Sequence, residues 1–249
     1  MNIYLCIDDT DEKDGPGTGH LLQALCENIQ TKNWGTCSAI SRHQLFVDDA
    51  IPYTSHNSSL CCEVELEKTI VGEVIEFCSR FLEEKSAPGS DPGLCVTLID
   101  ESFDREKLIQ FGHMAKQTVL TKAAAYELAR ELTIHLSEHG GTGQGVIGAL
   151  AGTGLRLSGN DGRFRGWYHL GREGATIGVK DLTSHGFIQG VQSETGEILS
   201  NDASVLLGGD ELKTVLQGGR QIVLVTQMEK DTEGKRVWRT LTKKEVKRY

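Results

Sequence analysis

The chain has 249 residues, a formal net charge of −9 and 38% hydrophobic residues, the composition of a globular protein with one large domain or two small ones. No window of 18 apolar residues is present and no basic segment precedes an apolar run at the start. The sequence therefore predicts no membrane-spanning helix, no signal peptide and a cytoplasmic location. The acidic balance argues against broad electrostatic capture of nucleic acid, although a local basic patch is compatible with it.

The seven cysteines lie within the first hundred residues, mostly in apolar segments, and none forms a C-x-x-C pair. Their odd number and scattered spacing favour buried free thiols in a reducing compartment over disulfides or a zinc site.

The first predicted element is a short buried strand that ends in acidic residues. Residues 3–7 are nearly all apolar, as in a strand covered on both faces. Asp8, Asp9 and Asp11 follow, and three carboxylates so close together repel one another and lose solvation beside a core. Two or three carboxylates suit Mg²⁺, which takes its other ligands from water and a substrate phosphate. A solvated turn rich in Asp and Gly is the alternative.

A glycine-rich turn then leads into a predicted helix from Thr18 to Lys32, which we expect Gly35 to terminate. Gly17 and Gly19 lie where this helix begins, so free backbone N–H groups there offer a seat for phosphate. Thr18 is either the helix N-cap or a phosphate contact.

The middle of the chain alternates strands and helices, which indicates an α/β or α+β arrangement in two layers. Arg42, His43 and Gln44 are expected to interrupt the second strand. The predicted elements are strands at 36–47, 60–66 and 94–99, and helices at 70–82, about 105–120 and 121–139.

A second glycine-rich stretch, residues 140–154, holds seven glycines in fifteen positions, and its later part is typical of a tightly packed helix. It contains a G-x-G-x-x-G match, but the segment before it is interpreted as a helix and no Lys-Ser/Thr follows. The sequence therefore argues against a Rossmann or Walker site and favours another kind of nucleotide-facing loop. The candidate loop glycines are Gly140, Gly141, Gly143 and Gly145.

From residue 158 the pattern becomes β-rich, so we predict two domains, 1–157 and 158–249. Helix signal is limited to 210–217, among short strands predicted at 164–170, 175–179, 187–191, 205–207, 221–227 and 236–240. A locally basic strip raises the possibility of RNA binding; its members are Arg156, Arg163, Arg165, Arg172 and Lys180.

Four segments in order resemble the archaeal agmatinylcytidine synthetases, which modify the anticodon cytidine of an isoleucine tRNA. The resemblance covers about residues 1–157 and also places Lys116 in a family-like position. The segments are Ile7-Asp8-Asp9-Thr10-Asp11 with Thr18; Arg42 with Ile51-Pro52-Tyr53 and Asn57; Asp91-Pro92-Gly93; and Gly145 to Ala151.

The resemblance implies that this region is the kinase-like N-terminal domain of the family. It implies that Asp8, Asp9 and Asp11 bind Mg²⁺ on ATP, that loop 140–148 helps to hold the nucleotide, and that Thr18 corresponds to a threonine that becomes autophosphorylated. The second part of the chain then corresponds to a ferredoxin-like domain.

The departures from the family concern RNA binding. The family's loop after Ile-Pro-Tyr is basic, whereas here it reads Thr54-Ser55-His56-Asn57. No cysteine follows Cys95, so we expect neither the family's zinc ribbon nor its OB-like domain, and tRNA is not an expected partner of this chain alone.

The leading hypothesis is an ATP- and Mg²⁺-dependent phosphotransferase or ligase in an α+β protein. Arg42 and Lys116 would add positive charge at the transferred phosphate. The acceptor is a small molecule or an RNA delivered by a partner protein. Alternatives are an ATP-binding adaptor or sensor without catalysis and a tRNA-binding fragment.

His43 and His56 are interpreted as loop histidines rather than bases, and Asn57 as an Asx-turn residue or a substrate contact.

Overall fold

The computed structural model describes residues 1–12, 15–49, 51, 57–99, 103–229, 234 and 236–249, which divide into two compact units, Met1–Ser158 and Gly159–Tyr249. Helices accompany both parallel and antiparallel strand pairs, so the predicted α+β class with a mixed sheet is confirmed. Among these residues, no helix is both long and apolar enough to cross a membrane. Pro52, Tyr53 and His56 of the predicted motifs lie outside the described residues.

The first unit is built on one antiparallel sheet with strand order β6-β5-β1-β4-β3, in which β2 pairs with the far end of β4. Its strands are β1 (Asn2–Asp8), β2 (Gly35–Cys37), β3 (Ser41–Gln44), β4 (Ser58–Leu66), β5 (Gly93–Leu98) and β6 (His135–Glu138). Its helices are α1 (Thr18–Thr31), α2 (Val71–Lys85), α3 (Arg105–Met114), α4 (Lys122–Glu131) and α5 (Gly145–Ser158), with a 3-10 turn at Lys68–Ile70.

Strand β1 runs through the centre of this unit and is apolar on both faces. Ile3, Leu5 and Ile7 pack into a core with α1 and α2, whereas Cys6 packs into a second core with α3, α4 and α5. Because both faces of the sheet are apolar, both need a helical cover. The unit therefore has three layers, and the prediction of two layers was wrong.

Three predicted elements of this unit also need correction. Arg42, His43 and Gln44 do not interrupt a strand: they lie within β3, and the interruption falls at 38–40. The predicted helix at 121–139 ends with α4 at Glu131, since Thr133 takes a left-handed φ of 57°. Residues 135–138 form strand β6 against β5, so a strand, not a helix, precedes the second glycine stretch. The first helix is likewise terminated by Asn33, whose φ is 54°, before Gly35 enters β2.

The second unit contains mostly short strands, which favours the β-rich alternative over the ferredoxin-like one. Its elements are β7 (Arg163–Phe164), β8 (Thr176–Gly178), α6 (Val179–Ser184), β9 (Gly190–Ser193), β10 (Ser204–Leu206), β11 (Val215–Gln217), β12 (Arg220–Gln227), β13 (Trp238–Thr240) and a 3-10 turn at Glu245–Arg248. The strand order is β7-β11-β12-β13-β10-β8, and β9 pairs with β12 in parallel.

The helix predicted at 210–217 is wrong. Residues 215–217 form β11, which pairs antiparallel with β12. The connection is Gly218-Gly219, and both glycines have positive φ, 58° and 71°, as the tight turns of two-residue hairpins require.

Candidate functional site

Strand β1 delivers the acidic residues to the end of the sheet beside α5. Asp8 is its last residue and is only 8% exposed. Asp9 follows with a φ of 51°, a left-handed conformation that is uncommon outside glycine and that Asp tolerates better than most residues. The chain thus turns sharply at Asp9, and Asp9 and Asp11 remain partly exposed.

The carboxylate of Asp8 lies directly against the backbone of Gly148 in α5. A Cβ atom placed on Gly148 would lie 1.6 Å from Oδ2 of Asp8, and one on Gly145 would lie 3.0 Å from its backbone oxygen. These two glycines therefore permit α5 to approach the end of β1 closely. The helix N-terminal half faces the acidic residue, an arrangement that the helix dipole favours.

Burial and mutual repulsion make these carboxylates reluctant to ionise. Burial, with the charges of Asp9 and Asp11 added to it, raises the pKa of Asp8 well above its ordinary range. Burial and the charges of Asp91 and Asp11 raise the pKa of Asp9 to about 6. A cation among these groups would relieve both the repulsion and the lost solvation.

The N-terminus of α1 meets the same acidic segment. The Thr18 hydroxyl donates a hydrogen bond to Oδ1 of Asp11 at 3.1 Å, and Gly17 packs beside that carboxylate. Gly17, not Thr18, is the N-cap residue, and no side chain caps the helix, so the N-cap interpretation of Thr18 was wrong. Gly19 is the second residue of α1. The first turn of α1 therefore points its backbone N–H groups toward the acidic end of β1.

Arg42 projects from β3 toward this acidic segment. Its Nε donates to Oγ of Ser58 at 2.9 Å. Burial lowers the pKa of Arg42, and the negative charge of Asp11 opposes that shift. The guanidinium is therefore a cationic group that the structure brings within electrostatic reach of Asp11.

The second glycine loop is held in place by Asp91, the first residue of the family-like segment Asp91-Pro92-Gly93. The Asp91 carboxylate accepts hydrogen bonds from the backbone N–H groups of Thr142 and Gly143 and from the Thr142 hydroxyl, the last at 2.7 Å. Gly141 and Gly143 both have positive φ, which turns successive N–H groups to one side and forms an anion-binding nest. The nest thus holds a carboxylate that also acts electrostatically on Asp9.

A second clamp on this loop comes from Lys122 at the start of α4. Its Nζ donates to Oε2 of Glu138 at 2.6 Å and to the carbonyl oxygen of Thr142 at 2.7 Å. No sequence spacing links Lys122 to the glycine loop, since it lies twenty residues before Thr142. Gly140 and Gly141 are exposed, whereas Gly143 and Gly145 are buried under these contacts.

Several of the remaining predicted residues have surroundings other than those expected. Lys116 is not on a helix: α3 ends at Met114, and Lys116 occupies the turn that follows. His43 is no loop residue but is buried in β3, 2.7 Å from the Ser41 hydroxyl. Asn57 donates to the carbonyl oxygen of Phe46 at 2.6 Å, so its side chain has a structural role. Arg156, placed in the basic strip by the sequence, is only 8% exposed in α5.

Thr10 adds a buried polar group beside the acidic residues. Within the part of the chain that the structure describes, its hydroxyl is buried and makes no hydrogen bond. It lies between Asp9 and Asp11 in sequence. The carboxylate oxygens are the ligands that a hard cation prefers. The uncapped N-terminus of α1 and the Arg42 guanidinium are groups that bind phosphate. The residues therefore fit a magnesium–nucleotide complex.

No family model and no curated protein matches the chain, but solved structures do. It is similar to the complex of TiaS with an isoleucine tRNA and ATP, with 26% identity and a TM-score of 0.54 over 62% of this chain and 36% of that one. A tRNA fluorescent labeling enzyme gives 27% identity and a TM-score of 0.53 over the same shares. The complex of TiaS with its tRNA, AMPCPP and agmatine gives 25% identity and a TM-score of 0.52 over 61% and 36%.

TiaS is described as an agmatidine synthetase of an isoleucine tRNA, so the resemblance inferred from four short motifs is confirmed. The chain spans about a third of the length of these proteins, 36% in each of the three cases.

Proposed function

We propose that the first unit binds ATP with Mg²⁺ and acts as a phosphotransferase or ligase. The observation that carries the proposal is the end of β1, where Asp8, Asp9 and Asp11 are held between the N-terminal parts of α1 and α5. The similar structures include complexes with ATP and with AMPCPP, which supports ATP as the nucleotide.

The residues divide the work as follows. Asp8, Asp9 and Asp11 would hold the Mg²⁺, which when bound neutralises charge on the phosphate oxygens. The N–H groups of α1 near Gly17, Thr18 and Gly19 bind phosphate oxygen. Arg42 stabilises the negative charge that develops during transfer.

Thr18 has a more specific role in this proposal. Its hydroxyl donates to Asp11, so the carboxylate orients it and is placed to accept its proton. This contact supports Thr18 either as a phosphate ligand or as the site of autophosphorylation that the resemblance implies. Thr18 is 7% exposed, and its contact with Asp11 places it beside a ligand bound at the acidic end of β1.

Loop 140–145 is the proposed second phosphate contact, with Lys116 as a further point charge. In the structure the loop's backbone N–H groups at Thr142 and Gly143 donate hydrogen bonds to the Asp91 carboxylate. A carboxylate bound there supports the loop as an anion site, and the proposal requires Asp91 to release these groups or to share them when triphosphate binds.

The proposed acceptor is a small molecule or an RNA presented by a partner protein. TiaS is described in a complex with agmatine and an isoleucine tRNA, and either class of acceptor is therefore plausible. The chain has a net charge of −9, and Arg156 of the basic strip is buried. If the acceptor is an RNA, we therefore expect a partner protein to bind it.

Calorimetry with Mg-ATP tests the binding step. Wild type should bind one equivalent, and the double variant Asp8→Asn with Asp9→Asn should weaken the affinity at least about 100-fold, because loss of an outer-shell group alone costs 10–100-fold. Asp202→Asn, the same exchange at an exposed position of the second unit, is the matched control. Equal affinity in all three proteins, or no binding by wild type, would remove the proposal.

Incubation with γ-labelled ATP separates an enzyme from an adaptor. An enzyme transfers the label to Thr18 or to an acceptor, or releases it as phosphate with ADP or as pyrophosphate with AMP, and Thr18→Val abolishes the label on the protein. Binding without any of these products would leave the non-catalytic adaptor as the function.

A further inference from the structure

Three cysteine thiols converge in the first unit, away from the acidic end of β1. The Sγ atoms of Cys26, Cys37 and Cys62 all lie within 4.8 Å of one another, and those of Cys26 and Cys62 are 3.5 Å apart. We call these three residues the thiol triangle. They come from positions eleven and twenty-five residues apart along the chain, so the fold, not a local motif, brings them together.

Each corner of the triangle is fixed by a different element. Cys26 lies on the buried face of α1, Cys62 lies in the middle of β4, and Cys37 ends β2. Strand β2 reaches this place because Gly35 lets it approach β4: a Cβ there would lie 2.4 Å from the carbonyl oxygen of Glu65. Packing of α1 and pairing of β2 therefore position the thiols before any ligand is considered.

The dimensions of the triangle suit a thiophilic metal ion. Zinc–sulfur bonds are about 2.3 Å long, so sulfur atoms around a tetrahedral zinc ion are about 3.8 Å apart. In the thiol triangle the Sγ atoms of Cys26 and Cys62 are 3.5 Å apart, and no Sγ–Sγ distance exceeds 4.8 Å. The zinc value lies within this range. A disulfide would join only two of the thiols and leave the third without a role.

The thiols also differ in access. The Cys37 thiol donates a hydrogen bond to the carbonyl oxygen of Cys26 at 3.9 Å, and a metal ion bound by the three sulfur atoms would displace the thiol protons. Cys37 is half-buried while the other two are buried, which leaves one side of the triangle open for entry of an ion.

We propose that the thiol triangle is a binding site for Zn²⁺, with Cys26, Cys37 and Cys62 as thiolate ligands. Three thiolates and one Zn²⁺ leave a net charge of −1, whereas a monovalent ion such as Cu⁺ would leave −2 in an apolar core, so charge favours the divalent ion. The buried Cys78 lies in the same core but outside the triangle, and the fourth position is left to water on the open side.

The test is a titration of reduced, metal-free protein with Zn²⁺ against a chromophoric chelator, in saturating Mg²⁺ so that the carboxylates are occupied. Wild type should take up one zinc ion per chain. Cys37→Ala should weaken the affinity at least about 100-fold, and Cys95→Ala, a buried cysteine of the other core, should not change it. Replacement by Co²⁺ should produce thiolate-to-cobalt charge-transfer absorption that Cys37→Ala abolishes.

A second measurement needs no variant. Zn²⁺ should protect Cys37 of wild type from alkylation, as read by peptide mass spectrometry. No uptake of zinc, or equal uptake by Cys37→Ala, would overturn the proposal. So would a protein that ignores Zn²⁺ and instead forms a Cys26–Cys62 disulfide under mild oxidation.

Discussion

The first unit holds a cluster of carboxylates and a cluster of thiols, and the two differ in the contacts they make without a metal. The carboxylates at the end of β1 repel one another, and the pKa values of Asp8 and Asp9 rise. In the thiol triangle the Sγ atoms of Cys26 and Cys62 lie within hydrogen-bond distance at 3.5 Å, and the Cys37 thiol donates to the carbonyl oxygen of Cys26. A carboxylate cannot donate a proton once ionised, whereas a neutral thiol can.

The two clusters therefore differ in how a bound cation would affect the stability of the folded protein. The carboxylate cluster destabilises the folded protein at neutral pH unless protons or a cation neutralise it. The thiol triangle is stable as it stands, so a metal would add to it without being needed for the fold. Three substitutions test the carboxylate side of this contrast, in order of decreasing expected effect.

Gly148→Ala should have the largest effect on stability. The new methyl group would overlap the Asp8 carboxylate at 1.6 Å, so α5 or the end of β1 must shift, at a cost of about 2–3 kcal/mol in the free energy of unfolding. Urea denaturation measures it. Gly72→Ala in α2, where a Cβ meets nothing within 4 Å, is the matched control and should be neutral or stabilising. Equal stability of Gly148→Ala and wild type would show that the carboxylate is not confined by α5.

Asp9→Asn should stabilise the metal-free protein at pH 7 by about 1–2 kcal/mol, allowing for partial exposure of the side chain. The folded-state pKa of Asp9 is about 6 against an ordinary value of 3.8, so the folded protein retains a proton that the unfolded chain has released. Protonation of Asp9 therefore stabilises the folded protein. This stabilisation is complete below pH 4 and is lost as the pH rises through the folded-state pKa of about 6.

Thermal unfolding from pH 4 to pH 7, with and without Mg²⁺, measures this contrast. The variant should have a flatter pH profile than wild type, and added Mg²⁺ should stabilise wild type more at pH 7 than at pH 5. A variant less stable than wild type at pH 7 without metal would contradict the repulsion on which the comparison rests.

Thr18→Val should have the smallest effect, a loss of about 1 kcal/mol in the free energy of unfolding, because both hydrogen bonds of its hydroxyl are long, 3.1 Å to Asp11 and 3.5 Å from the Thr10 N–H. Thr18→Ser keeps the hydroxyl and is the control. Chemical denaturation at pH 7 compares them, and an unchanged stability in Thr18→Val would mean that the Asp11 contact is replaced by water.

The sequence predicted the elements with strong apolar periodicity and missed those decided by tertiary pairing. Strand β1 and helices α1, α2 and α5 were found because each carries its own signal. Strand β6 was missed although Ile134 to Ser137 alternates apolar and polar residues, because the preceding helical pattern was extended through it. Strand β11 was missed although Gly218-Gly219 marks a hairpin.

The candidate site divides in the same way. Asp8, Asp9 and Asp11 are adjacent in sequence and were found, whereas Asp91 and Lys122 act on a loop 51 and 20 residues further along. Neither residue has a local pattern that predicts such a contact. The Asp8 carboxylate packs against the backbone of Gly148 in α5. Because glycine has no side chain, no pattern of polar or apolar residues predicts this contact.

Helix α5 has four glycines among its 14 residues, each costing about 1 kcal/mol of helix propensity relative to alanine. A segment of this composition is a poor helix in water and gains its stability from the sheet it packs on. It is also the last element of its unit to leave the ribosome. We expect it to dock last, and Asp8 to become enclosed only then, so that the proposed Mg²⁺ site is completed in the final step of folding.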